Sequence, residues 1–144
     1  MSQRAQLLRV IEHDLAEDVG GYEQLSQLMT QLYGWLMARD SAQIDLANQH
    51  ISELLDAASL RARRRSKVLQ ALGLGDDSAS MERLFALLAP ARIAPLQGAW
   101  NTLTARVAQC RQLNERNGKL LAMHSDVLQQ LFDRQPESIY QPSL

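Results

Sequence analysis

The residues of this chain that could carry catalysis or hold a metal are few and far apart. His13, His50, His124 and Cys110 are the candidates. No two of them stand at the i, i+4 spacing that puts two ligands on one helical face. His13 and Asp14 are neighbours, so on a helix they point different ways. No phosphate-binding glycine loop and no nucleophile motif occurs. His124 falls on an apolar seam and reads as a core or interface histidine. Cys110 reads as a small buried hydrophobe. The pattern predicts no enzyme, no catalytic residue, no metal and no cofactor.

Two other stretches have unusual chemistry. In "RARRRSKV", residues 61–68, Arg61, Arg64 and Arg65 share one helical face and could bind phosphates. No aromatic residues are interleaved, and the net charge of the chain is −1. The face therefore reads as solvated, or as opposed to acidic groups on a protein, and nucleic acid is not expected. In "CRQLNERNGKLL", residues 110–121, Asn114 and Asn117 fall where helical spacing wants leucine. Gly118 sits where nothing ends. An asparagine on an apolar seam costs stability but fixes register and partner, because its amide must find a matching group. Two of them restrict which helix can pack there, and Gly118 would let a backbone approach closely and let the helix bend.

The elements that must position these residues are all helical. The composition is 46% hydrophobic and only 5% aromatic, with Leu, Ala, Gln, Arg and Glu abundant. A first helix is predicted over 3–38. Its seam is Leu8, Ile11, Leu15, Asp18, Tyr22, Leu25, Met29, Leu32 and Leu36, and it passes through Gly20-Gly21 without losing phase. Asp40, with Gln43 three residues on, caps a second helix over 41–72. The short turn makes the two antiparallel neighbours. "GLGDDSAS" is a loop, and a short helix follows over 79–89. The last helix is predicted over 92–133, with Leu96, Trp100, Leu103, Val107, Cys110, Asn114, Asn117, Leu121, His124, Leu128 and Leu131 as its seam. Leu113, Leu120 and Val127 form a second stripe beside it. An extended tail with two prolines is predicted over 134–144.

The expected fold is all-α: an elongated antiparallel bundle of three long helices plus one short helix, forming a single domain over 1–133. A last helix this long cannot be wrapped on all sides in a chain of 144 residues. Beyond Gly118, the residues Leu120, Leu121, Met123, Val127, Leu128, Leu131 and Phe132 present a broad apolar surface for another helix. The single cysteine excludes an internal disulfide. No secretory leader and no run of apolar residues long enough to span a bilayer is visible, so a soluble cytoplasmic protein without membrane insertion is expected.

The run Leu113-Asn114, two residues, Asn117-Gly118, one residue, Leu120-Leu121 resembles the signature of the FlgN family of flagellar type III export chaperones. The layout around it is similar too. "YGWLMARDSAQIDLANQHISELLDA" resembles the family's first helical hairpin, Trp100 precedes the asparagine motif, and Tyr140 follows the last helix. The chain departs from the family in lacking a lysine near His50 and a glycine after Tyr140. The resemblance implies a chaperone that holds the hook–filament junction proteins, hook-associated proteins one and three. It implies client binding through the C-terminal amphipathic helix, at Asn114, Asn117, Gly118, Leu120, Leu121, Met123, Val127, Leu128, Leu131 and Phe132. It implies docking of Tyr140 to the cytoplasmic domain of the export gate.

Two other functions fit parts of the pattern. A general helical adaptor would show the same bundle but gives no reason for the Asn-Asn-Gly motif. A nucleic-acid binder would use Arg61–Lys67 and show steep salt dependence. An apolar overhang on the last helix could also pair with its own copy, so a homodimer is a further possibility.

Overall fold

The computed structural model describes residues 2–133; the expected tail over 134–144, with Tyr140, lies outside the described residues. Four helices follow in order: α1 (Gln3–Ala38), α2 (Ser41–Ala71), α3 (Ser80–Leu87) and α4 (Pro90–Asp133). No strand occurs among the described residues. The architecture is the expected one of three long helices and a short one.

Local chemistry sets the boundaries. The Ser2 hydroxyl accepts from the Ala5 N–H at 3.1 Å and starts α1. Arg39, at φ 54°, closes it in a left-handed conformation. The Asp40 carboxylate then accepts from the Gln43 N–H at 3.2 Å and starts α2, as its position before the second seam predicts. Gly73, at φ 76°, ends α2. There the Leu74 N–H donates to the Leu69 carbonyl and the Gly73 N–H to the Gln70 carbonyl, both at 2.9 Å. These two bonds satisfy carbonyls that a helix end leaves without partners, and only a glycine reaches that φ cheaply. Pro90 is the first residue of α4, where a missing N–H costs nothing, so the helix starts earlier than the predicted 92.

Contacts between α1 and α4 keep one register. The Cys110 thiol meets the Tyr22 carbonyl and the Asn117 amide meets the Met29 carbonyl, each across a separation of 88 residues. A constant offset means that the two helices run parallel, while the hairpin makes α1 and α2 antiparallel. The same offset sets Ala38, the end of α1, level with Asp126. Helix α4 therefore runs on past its partner to Asp133. This is the overhang that the length of the last helix predicts.

The core is thickest at one end and thins toward the other. Leu8, Ile11 and Leu15 of α1 pack with Val68 and Leu69 of α2, Leu84 and Phe85 of α3, and Leu96 and Leu103 of α4. At the far end only Leu32, Leu36, Ala47 and Leu120 form a buried cluster. Both α2 and α4 pack closely on α1 but make no comparable contact with each other. Helix α1 is thus the shared partner, which explains why eight of its nine seam residues are buried.

The buried stripe of α4 changes phase along its length. Leu96, Leu103, Cys110 and Asn117 stay buried throughout. Beside them the partly buried positions pass from Trp100 and Val107 to Leu113, and then to buried Leu120. An exact seven-residue buried repeat is kept where a helix winds about its partner, here α1. The flanking position also shifts from four residues after Leu96 and Leu103 to three residues after Cys110 and Asn117, so Asn114 and Leu121, predicted on the seam, face solvent and the second stripe turns inward.

Candidate partner-binding site

The arginine cluster is an internal feature. The Arg61 Nε donates to Asp18 Oδ1 at 2.6 Å, and the Arg65 Nη1 donates to Asp18 Oδ2 at 2.7 Å. Arg64 grips Asp14 with two hydrogen bonds, at 2.6 and 2.8 Å. Asp14 and Asp18 are almost wholly buried, at 1% and 2% exposure. The hydrogen bonds from Arg64 hold the Asp14 carboxyl below the usual aspartate range despite its burial. Arg65 also stacks over the Trp100 ring, 5.4 Å from its centroid, and so ties α4 into the network. Burying charges costs solvation, so these pairs act chiefly to fix how α2 lies on α1. This corrects the reading of the arginine face as solvated or as turned toward another protein: its acidic partners are in this chain, and of the three only Arg64 stays exposed. The phosphate-binding alternative has its three shared-face arginines committed to aspartates, and Arg63, Arg64 and Lys67 remain exposed, Arg64 while paired.

The network also explains one glycine. A Cβ on Gly21 would lie 2.8 Å from Arg61 Nη2, while nothing lies within 4 Å of one on Gly20. Helix α1 runs unbroken through both. Gly21 makes room for the guanidinium that reaches Asp18.

The Asn-Asn-Gly motif divides between two tasks. Asn117 is buried, and its Nδ2 donates to the Met29 carbonyl at 2.9 Å. Its Oδ1 has no partner among the described residues. It is therefore engaged within the bundle, clamping α4 to α1, and is not an open surface for a client. Leu120 is buried too, in the Leu32–Leu36 cluster. Asn114, Gly118 and Leu121 are exposed at i, i+4 and i+7, so they share a stripe. That stripe continues the line of Val107 and Arg111, which border a groove of about 310 Å³ between α2 and α4. Among the described residues nothing lies within 4 Å of where a Cβ on Gly118 would stand.

A second and more apolar groove, of about 500 Å³, lies where α1 ends. Tyr33 and Met37 of α1 form one side, and Leu120, Met123, His124 and Val127 of α4 form the other. Met37, Met123 and Val127 are 57%, 62% and 45% exposed, a large apolar surface to leave in water. Arg116 and Lys119 stand at its lip, with Arg116 over the Tyr33 ring at 3.9 Å from the centroid. No α2 residue lines it. The predicted apolar surface is thus two surfaces. Leu121 lies on the flank toward α2, and Met123 and Val127 lie on the other. The side chains of Leu128, Leu131 and Phe132, and the whole of Tyr140, fall outside what the structure describes.

Tyr33, Met37, Arg116 and Lys119 are site residues that the seam pattern does not pick out. A signal for the first two is present, since "YGWLM" carries more apolar residues than one seam can bury.

Cys110 is buried, and that burial pushes its thiol pKa up, so it is not poised as a nucleophile. Among the described residues no group of His, Cys, Asp and Glu could hold a metal ion. No described helix is long and apolar enough to cross a membrane.

Fold and surface define an elongated helical protein with an open apolar groove at one end. The FlgN protein family model matches residues 2–135. The chain belongs to the FlgN family, a family of non-enzymatic flagellar proteins, and so has a flagellum-related role. A crystal structure described as a flagella synthesis protein FlgN from Pseudomonas aeruginosa is similar, with a TM-score of 0.70 and 25% identity. The match covers 88% of this chain and 94% of that one. No curated protein matches the chain significantly.

Proposed function

We propose that this chain is a cytoplasmic flagellar export chaperone. It holds the apolar terminal helices of the hook–filament junction proteins, hook-associated proteins one and three. It keeps them from assembling prematurely and delivers them to the cytoplasmic domain of the type III export gate, with Tyr140 as the docking residue. The observation that carries this reading is the apolar groove at the α1 end of α4, walled by Met37 and Met123 and left open by the chain's own helices. An amphipathic client helix lays its apolar face into such a groove and is thereby withheld from its own assembly partners. Methionines suit this task, because their flexible side chains adapt to more than one client. The overhang of α4 beyond Asp126 extends the surface available to the client.

Titration of the purified chain with the C-terminal helices of hook-associated proteins one and three tests the reading. Binding of either helix is expected, and Met123→Glu abolishes it without loss of helix content, because a carboxylate would be buried unpaired. Failure of both helices to bind the wild-type chain overturns it.

A further inference from the structure

The groove at the end of α1 carries charge of one sign only. Among the described residues Arg116 and Lys119 line it, and no carboxylate does. Neither cation has an ion-pair partner among the described residues. Five arginines elsewhere are ion-paired within the bundle: Arg61 and Arg65 with Asp18, Arg64 with Asp14, Arg83 with Asp77, and Arg92 with Glu12. The chain has a net charge of −1, so a positive lip does not follow from overall composition. The Tyr33 ring beneath Arg116 holds that guanidinium at the edge of the apolar floor.

We infer that the groove takes an amphipathic partner helix whose apolar stripe is bordered by Asp and Glu, so that carboxylates meet Arg116 and Lys119 as the stripe fills the groove. This rests on the reading of the chain as an export chaperone and specifies the chemistry of its client helix. Apolar burial alone is non-directional and accepts any greasy helix. Cations at the lip speed encounter with an acid-bordered helix and reject a base-bordered one. They also disfavour a second copy of this chain as the occupant. Two such grooves brought together would place like charges face to face.

The test uses the full chain and two synthetic helices of about 20 residues with the same leucine stripe, bordered by Glu in one and by Lys in the other. Fluorescence anisotropy is read at about 50 and about 500 mM salt. The Glu helix is expected to bind at least about tenfold tighter at low salt, with the gap shrinking at high salt. Arg116→Gln with Lys119→Gln removes the preference, and Arg116→Glu with Lys119→Glu reverses it, both at unchanged helix content. Equal binding of the two helices by the wild-type chain overturns the inference, as does a preference untouched by either double variant. A dimer in sedimentation that Met123→Glu dissociates, and that the Glu helix does not displace, also overturns it, since a second copy then fills the groove. The two readings fail separately. If hook-associated helices bind through Met123 but ignore charge reversal, the chaperone reading stands without the charge selection. If the Glu helix binds as expected and no hook-associated helix does, the charge selection stands and the chaperone reading falls.

Discussion

Alanine at Gly20 and at Gly21 should change stability in opposite directions, although the two glycines are adjacent in one continuous helix. In a helix interior glycine is less favourable than alanine by about 0.8–1.0 kcal/mol. At Gly20 a new Cβ meets nothing within 4 Å, so Gly20→Ala should gain about 1 kcal/mol. At Gly21 the Cβ would stand 2.8 Å from Arg61 Nη2. That guanidinium cannot simply swing aside, because its Nε is held at 2.6 Å by the buried Asp18. Displacing it weakens a hydrogen bond between charged groups, which contributes about 1.5–3 kcal/mol. Set against the helix-propensity gain, Gly21→Ala should be destabilised by roughly 0.5–2 kcal/mol. Urea denaturation of the two variants measures the difference. A cycle with Arg61→Gln isolates its cause: in that background Gly21→Ala should stabilise as Gly20→Ala does. If Gly21→Ala stabilises the wild-type background equally, the guanidinium is not fixed there and the role given to Gly21 is wrong.

Asn117→Leu should leave stability within about 1 kcal/mol of wild type, since it removes both the bond to Met29 and the orphaned Oδ1. Asn117→Asp should cost several times more, because it buries a carboxylate against a carbonyl; similar denaturant midpoints for the two variants would contradict the clamp. The hydrogen bonds from Arg64 hold the Asp14 carboxyl below the ordinary aspartate range in the fold, so the unfolded chain binds protons first as pH falls. The Asp14–Arg64 contribution is therefore complete above the ordinary aspartate range and is lost as pH drops through the lowered folded value. Wild-type stability should fall more steeply on acidification than that of Asp14→Asn, and parallel acid limbs would count against the pairing.

Periodicity was a good guide to the elements and a poor one to which face is free. The seam of α1 reads correctly because α1 is gripped from two sides, so nearly every seam residue is buried. The seam of α4 reads correctly through Cys110 and at Asn117, but not at Asn114 or Leu121. Beyond Cys110 the helix has one main partner and winds about it, which exposes Asn114 and Leu121 while burying Asn117 and Leu120. The acid–arginine network was half legible. Asp18 stands on an apolar seam, and Asp18 and Arg61 lie at nearly equal distances from the hairpin turn at Asp40. Reading the hairpin as a pairing register would have matched them. The groove is legible on its α4 side, at Leu120, Met123 and Val127, and not as a groove. It is made by two helices far apart in sequence, and its cations belong to no seam.

The central claim is that a client helix fills the groove between Tyr33 and Met123, and the methionines report on it without any substitution. Met37 and Met123 are exposed in the groove, whereas Met29 and Met81 are buried in the core. A carbon-13 methyl-methionine NMR titration with the C-terminal helix of a hook-associated protein reads all of them at once. The account predicts that the Met37 and Met123 methyl signals move together and saturate with the client, while those of Met29 and Met81 hold still. Saturable binding that leaves Met37 and Met123 unmoved would contradict it.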